Sequence, residues 1–351
     1  MRWPLHLVVP GPLDQRTGGY IYDRRIVEGL RALGWTVRVH ELVGRFPKAN
    51  EMARAAAAEA VANMSQGALP AIDGLALPAF AELGDRLPRP WVALVHHPLA
   101  LETGLGPAEA RAFADLERLL LVRAPRVIVT SPGTRRDLAA YDVESARIGV
   151  VCPGTDPAPL ARGGAGPSLA LLCVASLTPR KGHLVLLEAL GEVIDLEWHL
   201  TCVGSAERDP ACAQSILAAL DRLGLHGRVT LVGERAEAGV APFYDRADVF
   251  VLASYHEGYG MVLTEALARG LPVVSTTAGA IPDTVPPGAG LLVAPGDATA
   301  LSVALREVMT RPEQRARLVA GAQAARRQLP SWHDATRAFA AELAALAGNA
   351  R

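Results

Sequence analysis

The sequence predicts an α/β protein made of two doubly wound halves. Three observations lead there. Short runs of Val, Ile and Leu alternate with longer amphipathic segments, the same rhythm restarts after a stretch rich in glycine and proline, and 351 residues suffice for about two domains of ordinary size. The apolar runs are mostly continuous rather than strictly alternating. Strands covered on both faces look like that, which is the condition of a parallel sheet.

In the first half the runs at 5–9, 36–40, 72–77, 91–95, 126–130 and 147–151 are expected to be strands. Helices fall between them: 19–33, where Ile21, Ile26, Leu30 and Leu33 lie near helical spacing; the alanine-rich 50–64; 107–122, opened by a proline; and 132–140 behind a Ser131 cap. Residues 154–168 show no apolar period and have the composition of a linker. Beyond it, strands are expected at 169–175, 198–203, 228–232, 248–253, 272–275 and 290–293. The intervening helices are 182–193, 210–223, 240–247, 259–268 and 297–309. Ser331-Trp332-His333-Asp334 has the form of a capping box with Asp in place of Glu, opening a last helix through Phe339, Leu343 and Leu346. The division is therefore 1–157, 158–327 and a terminal helix at 328–351.

Composition narrows the partners. The formal charge is -1, and charges of both signs are spread along the chain, so neither nucleic acid nor an anionic membrane surface is suggested. The four cysteines show no CxxC spacing and read as buried thiols of a reducing, cytoplasmic compartment. No apolar run is long enough to span a bilayer. Of 35 basic residues only two are lysines, Lys48 and Lys181, so a lysine here is a candidate for a specific role.

In doubly wound folds, ligands sit beyond the carboxyl ends of the strands, and the candidate residues come from loops at those ends. After the 248–253 strand stands His256-Glu-Gly-Tyr-Gly-Met-Val-Leu-Thr-Glu265. A helix starting near Gly260 places Glu257 in the loop above its N-terminus and Glu265 about one and a half turns in, an axial offset of about 7 Å. Backbone amides and a positive helix end then lie between two carboxylates, which suits a ligand with hydroxyls at both ends and an anion in the middle. Two glutamates near a helix start also occur as simple capping. The other loops supply more: Gly18 and Gly19 at a helix start after the first strand, His96 and His97 after the 91–95 strand, and Arg180-Lys181 ahead of the helix that follows 169–175. Paired glycines admit an anion to the backbone, a histidine there can bond a sugar hydroxyl or move a proton, and the basic pair suits a diphosphate.

Ser176-Leu-Thr-Pro-Arg-Lys-Gly182, the Glu257 to Glu265 segment, and Gly279-Ala-Ile-Pro-Asp283 followed by Gly290-Leu-Leu-Val-Ala-Pro-Gly-Asp297 resemble retaining glycosyltransferases of the GT-B type, the group 1, family 4-like set with a Glu-x7-Glu motif. The resemblance implies two Rossmann-like domains facing a cleft. The first would bind the acceptor and the second a nucleotide sugar, with the terminal helix crossing back to the first. It also implies roles: Glu257 on the donor sugar's hydroxyls, Glu265 on the ribose, the amides around Gly258, Tyr259 and Gly260 along sugar and phosphate, Lys181 and the Gly18–Gly19 loop on the diphosphate, His96 near the reacting sugar, and Gly233 at the edge where the base packs. Many relatives carry an arginine five residues before the lysine. Here that position is Ser176, and Arg180 is the candidate replacement.

The expected reaction moves a sugar from a nucleoside diphosphate sugar, UDP- or GDP-linked, to a hydroxyl of a small-molecule, glycan or lipid-linked acceptor. No Asp-x-Asp occurs, so a metal-bridged phosphate is not expected, and the donor is a substrate rather than a cofactor. No basic amphipathic helix argues for a membrane acceptor. The alternatives are a nucleotide-sugar 2-epimerase of the same fold and a non-catalytic nucleotide-sugar-binding regulator.

Overall fold

The computed structural model describes residues 3–349; for residues 85 and 347–349 the backbone alone is described. The reading of 1–157 and 328–351 as domains reaches beyond this span at both ends, and residues 1–2 and 350–351 lie outside it. The elements run β1 (Leu5–Pro10), α1 (Gly18–Ala32), β2 (Val37–Leu42), α2 (Glu51–Ala62), β3 (Leu69–Asp73), β4 (Val92–Val95), α3 (Pro107–Leu121), β5 (Arg126–Val129), α4 (Pro132–Asp137) and β6 (Ile148–Val150). They continue β7 (Leu169–Val174), α5 (His183–Gly191), β8 (Trp198–Val203), α6 (Pro210–Leu223), β9 (Val229–Gly233), α7 (Glu237–Asp245), β10 (Val249–Leu252), α8 (Met261–Ala268), β11 (Val273–Thr276), α9 (Ile281–Thr284), β12 (Gly290–Val293), α10 (Ala298–Thr310), α11 (Pro312–Arg326) and α12 (Trp332–Asn349).

Two compact units result. One runs to Gly154 and takes up the chain again from Pro330; the other is Thr155–Leu329. The first unit holds a six-stranded sheet in the order β2-β1-β3-β4-β5-β6, the second a six-stranded sheet in the order β12-β11-β10-β7-β8-β9, and every strand pair is parallel. Each sheet has one point where the winding reverses. In the first unit it lies between β1 and β3, in the second between β7 and β10.

Burial in the first unit follows the strand period. Leu5, Leu7 and Val9 of β1 face a layer with Ile26, Val27 and Leu30 of α1, while Val8 faces Ala53 and Ala57 of α2. The same alternation separates Val92 and Leu94 from Ala93 and Val95 in β4. Helix α12 completes the α1 layer: Ala335, Phe339 and Leu343, spaced by four, are buried there. Its start is the capping box, since Asp334 N donates to Ser331 Oγ at 3.1 Å and Ser331 N to Asp334 Oδ2 at 3.1 Å. Arg126 of β5 donates to Glu342 at 2.6 Å and ties the helix further.

Some elements differ from expectation. β3 begins and ends earlier than 72–77, because Gly74 breaks the run and Asp73 Oδ1 accepts from Leu75 N at 2.7 Å, turning the chain; residues 77–80 form a short 3-10 turn instead. Helix α11 shows too weak an apolar period to be recognised, with only Leu318 and Ala322 buried. The linker has no regular structure before β7, yet it is pinned to the second unit: Ala161 N donates to Arg269 O at 2.9 Å and Arg162 N to Asp245 O at 2.8 Å. Cys173, Cys202 and Cys212 are buried and Cys152 half-buried, all as free thiols.

Candidate functional site

The second unit assembles its charged residues at the reversal between β7 and β10. The turn after β7 carries Arg180 and Lys181 and ends at Gly182, whose φ of +66° starts α5. Only glycine fits there, since a Cβ would lie 2.0 Å from Ala253 O. The loop after β10 carries Glu257 and ends at Gly260, with φ +84°, starting α8. Neither helix has a side-chain cap or an acidic residue in its first turn, so both present their positive ends without a built-in counter-charge.

These two turns are stitched together. Lys181 Nζ donates to Glu257 Oε1 at 2.6 Å, Ser254 Oγ donates to the same oxygen at 2.6 Å, Arg180 Nη1 lies 3.6 Å from Glu257 Oε2 and donates to His256 O at 2.9 Å, and Tyr255 N donates to Arg180 O at 2.8 Å. Glu257 is 5% exposed. Burial alone would raise its carboxyl, but the Lys181 and Arg180 charges and the hydrogen bonds from Lys181 and Ser254 outweigh that and hold it down at about 2. Burial and the neighbouring Arg180 lower the Lys181 ammonium, with Glu257 acting against them. Glu257 is thus a fixed carboxylate at neutral pH.

Segment 279–284 buttresses this loop. Gly279, at φ +57°, lets its backbone approach so closely that a Cβ would lie 2.4 Å from Glu257 O; Ala280 N donates to that oxygen at 2.8 Å, and Thr284 Oγ1 donates to Tyr259 O at 2.7 Å. Glu265 lies one to two turns into α8, half-buried, and accepts from the Tyr244 hydroxyl at 2.8 Å. Burial raises its carboxyl, against the Tyr244 bond and the Arg269 charge. Gly258 and Tyr259 lie between the two glutamates. Gly233 ends β9 at φ +79°, on the outer side of the sheet beyond β8, and accepts from Gly204 N at 3.1 Å.

The first unit gathers a different set at its own reversal. α1 starts at Gly18, and Gly19 lies against the His96 ring, where a Cβ would touch Cδ2 at 3.4 Å. His96 follows β4, and its Nε2 lies 3.0 Å from Asp23 Oδ1 of α1 and 3.3 Å from Asp73 Oδ2 at the end of β3. The loop beyond it is held by Glu117 of α3, buried, which accepts from Leu99 N at 2.7 Å, Ala100 N at 3.2 Å and the Tyr141 hydroxyl at 3.1 Å.

Within each unit the structure therefore brings together Arg180, Lys181, Glu257 and Gly258 to Gly260, and Gly19 with His96. Sequence reasoning missed Asp23, Asp73, Ser254, Tyr244 and Glu117. Asp73 closes an apolar run and faces the same sheet end as the other candidates, a signal that could have found it. Asp23 has the spacing of an ordinary helix-surface charge.

A family model described as Glycosyl transferases group 1 matches residues 168–311, and one described as Glycosyltransferase Family 4 matches residues 46–159. The D-inositol 3-phosphate glycosyltransferase of Segniliparus rotundus is 31% identical over 54% of this chain and 47% of that protein, and that of Rhodococcus erythropolis 31% over 66% and 58%. The chain spans about half the length of the curated relatives it matches. Sucrose-phosphate synthase from Thermosynechococcus elongatus superposes with a TM-score of 0.86, covering 99% of this chain and 100% of that one at 24% identity. Anabaena Alr3699/HepE in complex with UDP and glucose gives 0.78, covering 98% and 100% at 19%. These likenesses show the fold, two Rossmann-like units of the GT-B glycosyltransferase class. Among the described residues no helix is long and apolar enough to cross a membrane.

Proposed function

The chain belongs to the glycosyl transferases group 1 family, its two family matches together covering more than half of its residues, and on that premise we propose that it is a cytoplasmic retaining glycosyltransferase. It moves a sugar from a UDP- or GDP-sugar to a hydroxyl of a small-molecule, glycan or lipid-linked acceptor. One observation carries this reading: a lysine and a carboxylate paired at 2.6 Å at the winding reversal of the second unit, flanked by two helix N-termini that lack side-chain caps.

Each group has a task its geometry suits. Glu257, ionised and already oriented by Lys181 and Ser254, keeps lone pairs to accept from sugar hydroxyls. Lys181 spends one of its three N–H donors on Glu257 and offers the others to the diphosphate, with Arg180 3.6 Å from the same carboxylate as a second cation. Glu265, oriented by Tyr244, takes the ribose, Gly233 the edge of the base, and the Gly18–Gly19 turn the phosphates. Cleaving the anomeric bond puts new negative charge on the leaving diphosphate. Fixed cations and helix-end amides stabilise that charge without reorganising, so they act most strongly in the transition state. In this reading they supply the charge that a metal ion supplies in other transferases.

A thermal-shift screen of UDP, GDP, ADP and their sugars, followed by product analysis with and without acceptor, tests the proposal. One nucleotide series should raise the melting point, by about 2.7 kcal/mol of added stability at a hundredfold excess over Kd. Lys181→Ala should cut the shift to less than half. No shift with any nucleotide, or an undiminished shift in Lys181→Ala, overturns the assignment.

A further inference from the structure

We propose that Asp23 and Asp73 are positioning residues that clamp His96 by its Nε2 edge and hold it as an imidazolium, so that it acts as a fixed positive charge and hydrogen-bond donor and never as a base. On the transferase reading, which this rests on, the group near the reacting sugar cannot shuttle a proton.

The geometry is specific. One ring nitrogen faces two carboxylate oxygens, at 3.0 and 3.3 Å, the nearer as a hydrogen bond. The two carboxylates are almost fully enclosed, Asp23 at 1% and Asp73 at 4% exposure, and Asp23 Oδ2 has no hydrogen-bond partner. Two enclosed negative charges need compensation, and the imidazole is the cationisable group against them. The ring is fixed on its other sides by Gly19 and by the Tyr22 ring, whose centroid lies 5.2 Å away edge-on, while Thr130 Oγ1 reaches only the His96 carbonyl at 3.4 Å. Among the described residues the titratable groups facing the ring are thus Asp23 and Tyr22 of α1 and Asp73 at the end of β3.

Protonation follows from that placement. Burial would lower the His96 imidazolium, but the Asp23 charge and hydrogen bond, then those of Asp73, outweigh it and raise the group to about 10. Asp23 itself is raised to about 6, by burial first and by the neighbouring Asp73, with His96 opposing. A ring protonated on both nitrogens donates and cannot accept. The positive end of this clamp is what the 19% of the His96 side chain that reaches the surface would present to a substrate.

Side-chain nitrogen NMR of the unliganded protein across pH tests the clamp, with His96→Asn assigning the signal. His96 should remain doubly protonated well above pH 8, and Asp73→Asn should bring its titration down towards the ordinary value near 6.5. Asp23→Asn should do the same; where burial prevents that variant from folding, Asp73→Asn decides alone. A wild-type His96 that loses its proton near pH 6.5, or one whose titration is unmoved in Asp73→Asn, overturns the proposal. So does stoichiometric Mn2+ binding that displaces the His96 proton. These readouts need neither donor nor acceptor, so they stand or fall apart from the transferase reading. If both hold, Asp73→Asn should lower kcat on the order of 100-fold with donor affinity kept, and its remaining activity should fall as pH rises through the lowered His96 value.

Discussion

Replacing Glu257 by Gln separates stability from chemistry in one variant. Glutamine keeps the shape and one acceptor oxygen for Lys181 and Ser254 but removes the charge that faces Lys181 and Arg180. A carboxyl held at about 2 instead of the ordinary 4.5 contributes about 3 kcal/mol of folding stability at neutral pH. Because its folded value is depressed, that contribution is present above the unfolded value of 4.5 and is lost as pH falls through about 2. The variant should therefore melt lower by about 6–12 °C in the transition of the second unit at pH 7, taking 2–4 °C per kcal/mol for a unit of this size. The gap to wild type should be constant above pH 5 and should narrow on acidification below it.

The same variant should bind nucleoside diphosphate at least as well as wild type, since Lys181 and Arg180 lose their resident anion and the incoming diphosphate replaces it. Turnover should fall, because the sugar loses its carboxylate. Scanning calorimetry over pH and isothermal titration with UDP and GDP measure the two effects. A variant that melts like wild type, or a gap to wild type that does not change on acidification, would refute the reading that the Lys181 and Arg180 charges hold Glu257 ionised in a buried pair.

Other substitutions test the remaining parts. Lys181→Ala removes a charge-assisted hydrogen bond to the diphosphate and should weaken nucleotide binding by about 1.5–3 kcal/mol in calorimetry; unchanged affinity would remove Lys181 from the site. Tyr244→Phe deletes a hydroxyl that donates to Glu265 at 2.8 Å and lies 3.2 Å from Val262 O, and should cost about 1 kcal/mol in urea unfolding together with weaker donor binding. Gly279→Ala forces a side chain into φ +57° and against Glu257 O, so it should cost more than about 1 kcal/mol and lower turnover through the displaced Glu257 loop; an active, stable variant contradicts that contact. Phe339→Ala should destabilise the first unit by about 3–5 kcal/mol while leaving nucleotide affinity unchanged, since Phe339 is fully buried against that unit alone.

Central strands such as β4 and β10 were legible because both their faces are covered, which writes them as uninterrupted apolar runs, and the helix starts at Gly182 and Gly260 because positive φ there demands glycine. Lys181 stood out against a chain that otherwise writes its cations as arginine. What sequence order hides is tertiary pairing. Tyr244 acts only because α7 brings it to Glu265, 21 residues on, and nothing in its neighbourhood marks it, whereas Ser254 lies only three residues before Glu257 on the same loop. Helix α11 was invisible for the opposite reason: with only two of its residues buried, it has almost no apolar stripe to detect.

The two units solve one problem twice. At each winding reversal a charged contact joins elements that follow different strands, Lys181 to Glu257 across 76 residues and His96 to Asp23 across 73. Both contacts are made by the chain's own side chains. In the second unit three bonds already fix the Arg180–Lys181 turn to the loop that carries Ser254 to Glu257. A diphosphate sugar would then meet cations and a carboxylate already in place, and the entropy of ordering those two loops would be charged to folding rather than to binding. The same arrangement limits what the loops can do. A carboxylate held near pKa 2 does not carry a proton at neutral pH, so on this reading Glu257 can orient the sugar but cannot serve as the acid or base of the transfer.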